Sequence, residues 1–350
     1  MTATPTPPAA AQRGDGRTDA QAVALLREHL AERGGKAEER TEIIPLFGDA
    51  STRRYFRLRE RDLTAIAALY PEPFDPERMP FLEVRALLDG YGLPVPEVRH
   101  VDAARGLLVL EDLGDLTLQE ALPGATARGR EDLYREALDQ LARLHREAAK
   151  GPTRAACFQV AFDIEKLSWE LHYFLKHFVE GWRGVDLTAE DRATLGEAVH
   201  RLCEEIASWP RVLCHRDFHS RNLMRHADAL YWIDFQDARL GPATYDLASL
   251  LRDSYVDCDE EFLAERAEEF RQRTLPGESR ETFARRYELT CVQRNLKALG
   301  TFGYMATVRD NPVYLQYVPR TLAHARRNLL RHPELSGLHR VLAAHIEELR

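Results

Sequence analysis

The segment that most constrains this chain is Leu213–Met224, LCHRDFHSRNLM, where two histidines, an aspartate, two arginines and an asparagine lie between apolar residues. Surface loops are ordinarily polar, but few of them are bracketed by apolar runs typical of buried strands. The runs VLC before the segment and YWI after it predict two short strands that flank it like a hairpin. The loop between them would then display its polar side chains in fixed positions.

Within this loop the polar residues follow the spacing His215-x-Asp217-x-x-x-x-Asn222, and Asp234 comes twelve residues after Asn222. If both apolar runs are strands, Asn222 and Asp234 converge beside Asp217. An amide and a carboxylate oxygen suit a hard cation such as Mg²⁺, and a further free carboxylate suits a proton acceptor. The pattern predicts phosphoryl transfer to a hydroxyl, with Asp217 as the base. The alternative is a hydrogen-bonded turn with Asp234 as a solvated carboxylate.

The first third of the chain has the pattern of a small, mainly antiparallel sheet. A helix is predicted over 19–33, and an amphipathic stretch over Pro80–Tyr91 interrupts the β-rich runs. Those runs are TEIIPLF, YFRLRE, LTAIAALY, EVRHVD and GLLVLED.

After about residue 113 the pattern becomes helical, with apolar residues at spacings of three and four. Helices are predicted over 133–150, 162–178, 190–208 and most of 244–350, with breaks at LPGES and RDNPVY. The fold class expected from these patterns is α+β, with a small antiparallel β-rich lobe and a larger helical lobe. The expected domains are a disordered tail (1–18), the β-rich lobe (19–112) and the helical lobe (113–350).

Composition limits the partners and the cellular compartment that can be expected for this chain. The net charge of −8 gives no reason to expect a nucleic acid or an anionic membrane as partner. The five cysteines include no CxxC pair, which favours free thiols in a reducing cytosol. No apolar run approaches the ~18 residues of a membrane span, and the first residues lack the apolar core of a secretory signal. We expect a cytoplasmic monomer or weak dimer that acts on a small molecule.

The segment HRDFHSRN resembles the catalytic loop of protein kinases and, more closely, that of the aminoglycoside phosphotransferase and choline kinase group, because a second histidine follows the aspartate. The resemblance implies a two-lobed, protein-kinase-like fold that uses ATP and Mg²⁺. The nucleotide would bind in the β-rich lobe (19–112), and catalysis and substrate binding would take place in the helical lobe (113–350). It gives Asp217 the position of the catalytic base and His215 the position that braces the loop. Asn222 and Asp234 take the two metal-ligand positions. Asp246 matches an aspartate that ties the loop to the following helix.

Longer stretches are similar to the bacterial N-acetylmuramate/N-acetylglucosamine anomeric kinases of cell-wall recycling, over about residues 42–320. These stretches are GDASTRRYFRL, CHRDFHSRNLM, IDFQDARLGPATYDLASLLRDSY and RNLKALGTFGYM. This resemblance implies ATP-dependent phosphorylation of the anomeric hydroxyl of an amino hexose.

The nucleotide-binding candidates depart from the protein-kinase pattern, because no lysine lies between Thr41 and Glu111. Protein kinases bind the nucleotide phosphates with a lysine in this region. An arginine can bind phosphate through two N–H groups instead, so Arg57 or Arg54 is the expected substitute. The GDAST turn is expected to present backbone N–H groups to a phosphate. In the lobe connector, Glu111 and Leu113 are expected to bind adenine. The candidates in the GDAST turn are Gly48, Asp49, Ala50, Ser51 and Thr52.

For the acceptor, Arg294 and Lys297 offer a cationic pocket that would tolerate a sugar acid and repel a polycationic aminoglycoside. The other substrate-binding candidates are His219, Arg221, Gln236 and Asp237. Three alternatives remain open. They are a kinase for an aminoglycoside, choline or another hexose, a catalytically inactive kinase-like scaffold, and a metal-dependent hydrolase using the same carboxylates.

Overall fold

The computed structural model of the chain describes residues 18–32, 34, 36–46, 53–151 and 153–350. Its contacts divide the chain into two compact units, Met1–Leu82 with Pro96–Gly114, and Glu83–Val95 with Asp115–Arg350. The segment Glu83–Val95 therefore belongs with the second unit. The domain limits 19–112 and 113–350 stay a prediction from the sequence.

The first unit is built on an antiparallel sheet. Across the residues described there, five strands follow the order β1-β2-β3-β5-β4. The strands are β1 (Glu42–Leu46), β2 (Arg54–Glu60), β3 (Leu63–Leu69), β4 (Val98–Asp102) and β5 (Leu107–Glu111), and the helices before them are α1 (Asp19–Glu32) and α2 (Ala37–Arg40). Each strand falls in one of the β-rich runs, so the predicted sheet is confirmed.

Strand β2 shows why this sheet has two different faces. Successive side chains of a strand point to opposite sides, so Phe56 and Leu58 are buried while Arg57 lies on the other face. Phe56 packs in one apolar cluster with Leu26 of α1 and Leu107 of β5. The amphipathic pattern of β2 thus directs Arg57 and Arg59 away from the core, whereas Arg54 lies on the face of Phe56 and Leu58 and is buried.

The second unit is mainly helical. Its helices, with α3 beginning just before the boundary, are α3 (Pro80–Gly90), α4 (Leu118–Ala121), α5 (Ala127–Ala148), α6 (Ile164–Phe174), α7 (Ala189–Ser208), α8 (Tyr245–Leu251), α9 (Glu260–Thr274), α10 (Arg280–Thr307), α11 (Val318–Arg331) and α12 (Ser336–His345). This mixed α+β architecture confirms the predicted fold class. No helix within the described ranges is long and apolar enough to cross a membrane.

Two helix boundaries differ from those predicted. Helix α5 begins at Ala127 rather than at Leu133, because the Thr126 hydroxyl caps it by accepting the N–H of Gly129 at 3.0 Å. The helix predicted to end at Phe178 instead continues beyond α6 as a π-helical segment, Leu175–Trp182.

Helix α10 packs unusually closely on this π-helical region. A Cβ atom built on Gly300 would lie 2.8 Å from the Cα of Phe174, and one on Gly303 would lie 2.7 Å from the Cα of Phe178. Glycine is therefore required at both positions for the two backbones to meet. This contact fixes the part of α10 that carries Arg294 and Lys297.

The strands around LCHRDFHSRNLM do not form the predicted hairpin. Strand β6 (Arg211–Cys214) pairs with β9 (Arg239–Pro242), while β7 (Leu223–His226) pairs with β8 (Ala229–Trp232). VLC and YWI are both extended, but each has a different partner. The hairpin prediction was wrong because the residues after the loop, LMRH, themselves form the strand that pairs with ALYW.

Candidate active site

The polar loop begins where β6 ends, and His215 holds it from inside. His215 is buried, its Nε2 lies 3.0 Å from the carbonyl of Ile233, and its Nδ1 accepts the backbone N–H of Asp217 at 3.3 Å. Burial lowers the pKa of His215 to about 4, so its ring is neutral at physiological pH. A neutral ring can accept from one neighbour and donate to the other, and it thereby links the loop to the strand end before Asp234.

Asp246, at the start of α8, fixes the backbone of the same loop. Its two carboxylate oxygens accept the N–H groups of His215 at 2.6 Å and of Arg216 at 3.0 Å. Arg216 has a φ of +87°, which an L-residue adopts at a cost that these two hydrogen bonds help to offset. Burial raises the pKa of Asp246 to about 7, although both hydrogen bonds and Arg294 act in the opposite direction.

Asp217 meets three cations at the centre of the site. Its Oδ1 accepts from Lys297 Nζ at 2.7 Å and from Arg294 Nη1 at 3.3 Å, while Arg216 Nε lies 3.8 Å from Oδ2. Burial alone would raise the pKa of this carboxyl, but Lys297, Arg216 and Arg294 together hold it well below its usual range. Asp217 is therefore ionised and ready to accept a proton.

Asn222 lies next to this base, and its backbone bonds to the residue that precedes Asp234. Asn222 donates its side-chain N–H to the carbonyl of Asp217 at 2.9 Å, and its own carbonyl accepts the N–H of Ile233 at 3.0 Å. The exposed Asp234 follows directly, in a left-handed conformation with φ of +62°. These contacts bring Asn222 close to Asp217 and to the residue before Asp234, and the convergence of the three side chains stays a prediction.

The donor set fits Mg²⁺. Because the amide nitrogen of Asn222 bonds to Asp217, its Oδ1 is left without a hydrogen bond among the described residues. Asp234 adds a carboxylate, one oxygen of which accepts from Gln236 at 2.9 Å. In the parts of the chain that the structure describes, no three His, Cys, Asp or Glu side chains gather in a way that could hold a metal. Mg²⁺ suits such a sparse site, since it commonly binds one or two protein groups plus substrate phosphates.

The other residues predicted to bind the phosphoryl acceptor lie in and around the polar loop. Arg216 pairs with Asp237 at 2.9 Å, and the ring of His219 contacts that of Tyr255 with centroids 5.2 Å apart. The guanidinium of Arg221 lies over the same tyrosine, 5.0 Å from its centroid. His219 and Arg221 are thus held against one aromatic side chain, while Asp237 faces the base through Arg216.

Sequence reasoning missed Glu170 of α6, which is linked to Asp217 through the side chains of Tyr245 and Arg294. Glu170 is buried, and its Oε2 accepts from Gln293 at 2.9 Å and contacts the hydroxyl of Tyr245 at 3.5 Å. That hydroxyl accepts in turn from Arg294 at 3.3 Å. The available signal was a glutamate at helical spacing among Leu167, Leu171 and Phe174. A charge in an apolar stripe is costly unless it has partners, and here it neutralises cations near the base.

The nucleotide candidates fall in the first unit. Arg57 forms a two-pronged ion pair with Asp112, from Nε to Oδ2 at 2.6 Å and from Nη2 to Oδ1 at 3.1 Å. Arg54 pairs with Asp19 at 2.9 Å. Glu111 pairs with Glu97 through their backbones, Leu113 is buried, and the candidates Gly48–Thr52 lie outside the described residues.

Comparison with known proteins shows which family the chain is similar to. The sequence profile of the phosphotransferase enzyme family matches residues 42–285. The N-acetylmuramate/N-acetylglucosamine kinase of Neisseria meningitidis serogroup B is 34% identical over 302 residues, which cover 84% of this chain and 87% of that one. The enzyme of the same name from Pseudomonas aeruginosa is 33% identical over 308 residues, covering 87% and 88%.

Among solved structures, an ADP-bound aminoglycoside phosphotransferase superposes with a TM-score of 0.55 at 15% identity, covering 86% of this chain and 97% of that one. At this identity the likeness concerns the fold alone. The resemblance that the motifs indicated is confirmed by the profile and by the two relatives. The chain belongs to the phosphotransferase enzyme family.

Proposed function

We propose that this protein is an ATP-dependent sugar kinase that phosphorylates the anomeric hydroxyl of an amino hexose, N-acetylmuramate or N-acetylglucosamine. The observation that carries the proposal is the ionised Asp217 beside Asn222, in a chain about one third identical to kinases named for these two sugars. The family membership supports ATP as the phosphoryl donor.

In the proposed reaction, the oxygen of the acceptor hydroxyl attacks the γ-phosphorus of ATP. The bond between that phosphorus and the bridging oxygen of ADP breaks, and the hydroxyl proton passes to Asp217. An anomeric hydroxyl is more acidic than other sugar hydroxyls, so a carboxylate of low pKa can serve as its base. His215 and Asp246 hold the loop that positions this carboxylate.

Asn222 and Asp234 would hold Mg²⁺, which when bound neutralises the oxygens of the transferring phosphate. For the nucleotide, we propose that Arg57 binds phosphate together with the backbone of Gly48–Thr52. Glu111 and Leu113 would contact adenine. Asp112 fixes the guanidinium of Arg57 by accepting from Nε and Nη2, so a phosphate that binds the same edge would take the place of this carboxylate.

On the acceptor side, we propose that the groups around Asp217 border the sugar: His219, Arg221, Gln236, Asp237, Arg294 and Lys297. We also place the reaction in the cytoplasm, within a monomer or weak dimer whose nucleotide-binding and catalytic parts are residues 19–112 and 113–350. The cysteines support a reducing compartment, because all five lie in the described residues as free thiols.

The test is a panel of acceptors with Mg-ATP, in which ADP release is measured and each product is examined by phosphorus NMR. We expect turnover of N-acetylmuramate and N-acetylglucosamine, with phosphate on the anomeric carbon. Choline and kanamycin serve as controls from other members of the superfamily. Faster turnover of either control than of any hexose, or a sugar 6-phosphate product, would contradict the proposal.

A further inference from the structure

The ion pairs connected to Asp217 contain more cations than carboxylates, although the whole chain has a net charge of −8. Among the described residues, five cations form a connected cluster with three carboxylates. The cations are Lys166, Arg216, Arg239, Arg294 and Lys297, and the carboxylates are Glu170, Asp217 and Asp237. A partly buried cluster of this sign favours an anion that enters it from outside.

Four of these cations already have an oxygen within hydrogen-bonding distance. Lys297 and Arg294 lie 2.7 and 3.3 Å from Asp217. Arg216 lies 2.9 Å from a carboxylate oxygen of Asp237, whose backbone carbonyl accepts from Arg239 at 3.1 Å. Their charges are committed to positioning the loop and the base.

Lys166 is different. Its Nζ lies 3.7 Å from Oε1 of Glu170, beyond a good hydrogen bond, and 4.2 Å from the ring centroid of Trp169. No described residue accepts a hydrogen bond from this ammonium group, whose side chain is only 25% exposed. Burial lowers the pKa of Lys166, although Glu170 acts in the opposite direction. An ammonium held in this way gains from an anionic partner.

The position of Lys166 in its helix points the same way. It lies in the first turn of α6, where Asp163 caps the helix by accepting the backbone N–H of Lys166 at 2.7 Å. A cation in the first turn opposes the helix dipole. The helix dipole therefore does not account for a lysine here, and the contacts with Glu170 and Trp169 hold its ammonium group without a hydrogen-bond acceptor among the described residues.

Lys166 connects to the base through two intervening side chains. Oε1 of Glu170 lies 3.9 Å from Nη2 of Arg216, and Nε of Arg216 lies 3.8 Å from Oδ2 of Asp217. An acid group carried elsewhere on a sugar ring must lie several ångströms from the hydroxyl that meets Asp217. Lys166 therefore belongs to the same cluster as the base without contacting it, as an acid group away from the reacting hydroxyl requires.

We propose that Lys166 binds the carboxylate of an acidic acceptor, so that it determines how well the enzyme uses N-acetylmuramate relative to the neutral N-acetylglucosamine. This proposal rests on the proposed sugar kinase function and adds a specificity residue to it. The ammonium group of Lys166 also contacts the ring of Trp169, which is exposed to solvent.

The experiment compares kcat/KM for both sugars in the wild-type enzyme, Lys166→Gln and Lys166→Arg. The loss of one charge-assisted hydrogen bond predicts that Lys166→Gln lowers kcat/KM for N-acetylmuramate about tenfold to a hundredfold. The value for N-acetylglucosamine should change by less than about threefold, and Lys166→Arg should retain part of the acid preference. Lys176→Gln, at an exposed lysine of the π-helical segment, is the matched control.

A third acceptor, the uncharged amide of N-acetylmuramate, separates charge from size. It should be used alike by the wild type and by Lys166→Gln. Equal losses for all three acceptors, or no loss for the acid, would overturn the proposal for Lys166 while leaving the kinase function intact. If the wild-type enzyme phosphorylates neither sugar, the proposed function fails and this inference fails with it.

Discussion

The ammonium group of Lys297 lies 2.7 Å from Oδ1 of Asp217, a contact between residues eighty positions apart in the chain. Arg294, one turn earlier on α10, reaches the same oxygen at 3.3 Å. The base is thus paired with two cations from a helix outside its loop. This pairing keeps Asp217 ionised and, at the same time, weakens it as a base.

Replacing Lys297 with Met should move the pH dependence of the reaction. The substitution removes one of the cations that hold the pKa of Asp217 below its usual range, so that pKa must rise. Because the base works only when ionised, the acid limb of kcat/KM should shift to higher pH. Lys297→Arg retains the charge and should keep the limb near its wild-type position. A lower rate with an unmoved acid limb would mean that Lys297 acts on something other than this carboxyl.

Replacing Asp217 with Asn should lower kcat by roughly 10²–10⁴-fold, the range for loss of a positioned proton acceptor. The affinity for Mg-ATP, measured by calorimetry, should remain close to that of the wild type. Asp228→Asn is the control, since Asp228 is an exposed carboxylate beside β8 with a left-handed backbone that Asn tolerates. Turnover within a few-fold of wild type would exclude Asp217 as the base.

Replacing Asn222 or Asp234 with Ala should weaken the binding of Mg-ATP more than that of ATP without metal. Each substitution removes one oxygen ligand from a cation that would have few protein ligands. Titrations with and without Mg²⁺ measure the difference directly. Gln236→Ala controls for the hydrogen bond at 2.9 Å that holds Asp234. Equal effects with and without metal would remove both residues from the metal site.

The sequence predicted the local parts of this site. His215, Asp217 and Asn222 lie within eight consecutive positions, so strand ends and turn geometry place them together without reference to distant residues. The antiparallel sheet of the first unit was predicted for the same reason, because alternating apolar residues determine each strand locally. The error at VLC and YWI arose because strand pairing depends on which neighbour is available, which composition does not show.

The sequence analysis placed Arg294 and Lys297 near the acceptor, but it could not predict that they pair with the base or that Glu170 lies among them. Lys297, Arg294 and Glu170 meet the loop only through the packing of α6 and α10, and their distance from Asp217 along the chain carries no periodic signal. Arg57 shows the same limit in the first unit. The alternating pattern of β2 showed which face carries Arg57. Its partner Asp112 lies 55 positions away, and only the structure shows that the two side chains meet.

The packing of α10 gives a prediction about stability. A methyl group on Gly303 would meet the backbone of His177 and Phe178, so Gly303→Ala should destabilise the fold by about 1–3 kcal/mol, as overpacking does. Gly196, inside α7, has open space where its Cβ would be. Gly196→Ala should therefore stabilise the protein by about 0.5–1 kcal/mol, because alanine favours helix over glycine. Urea unfolding of both variants measures the difference in stability.

The same substitution should affect activity. Since α10 carries Arg294 and Lys297, Gly303→Ala should also lower kcat, whereas Gly196→Ala should not. A Gly303→Ala protein as stable and as active as the wild type would show that the close approach of α10 to residues 174–178 is not needed to position these cations.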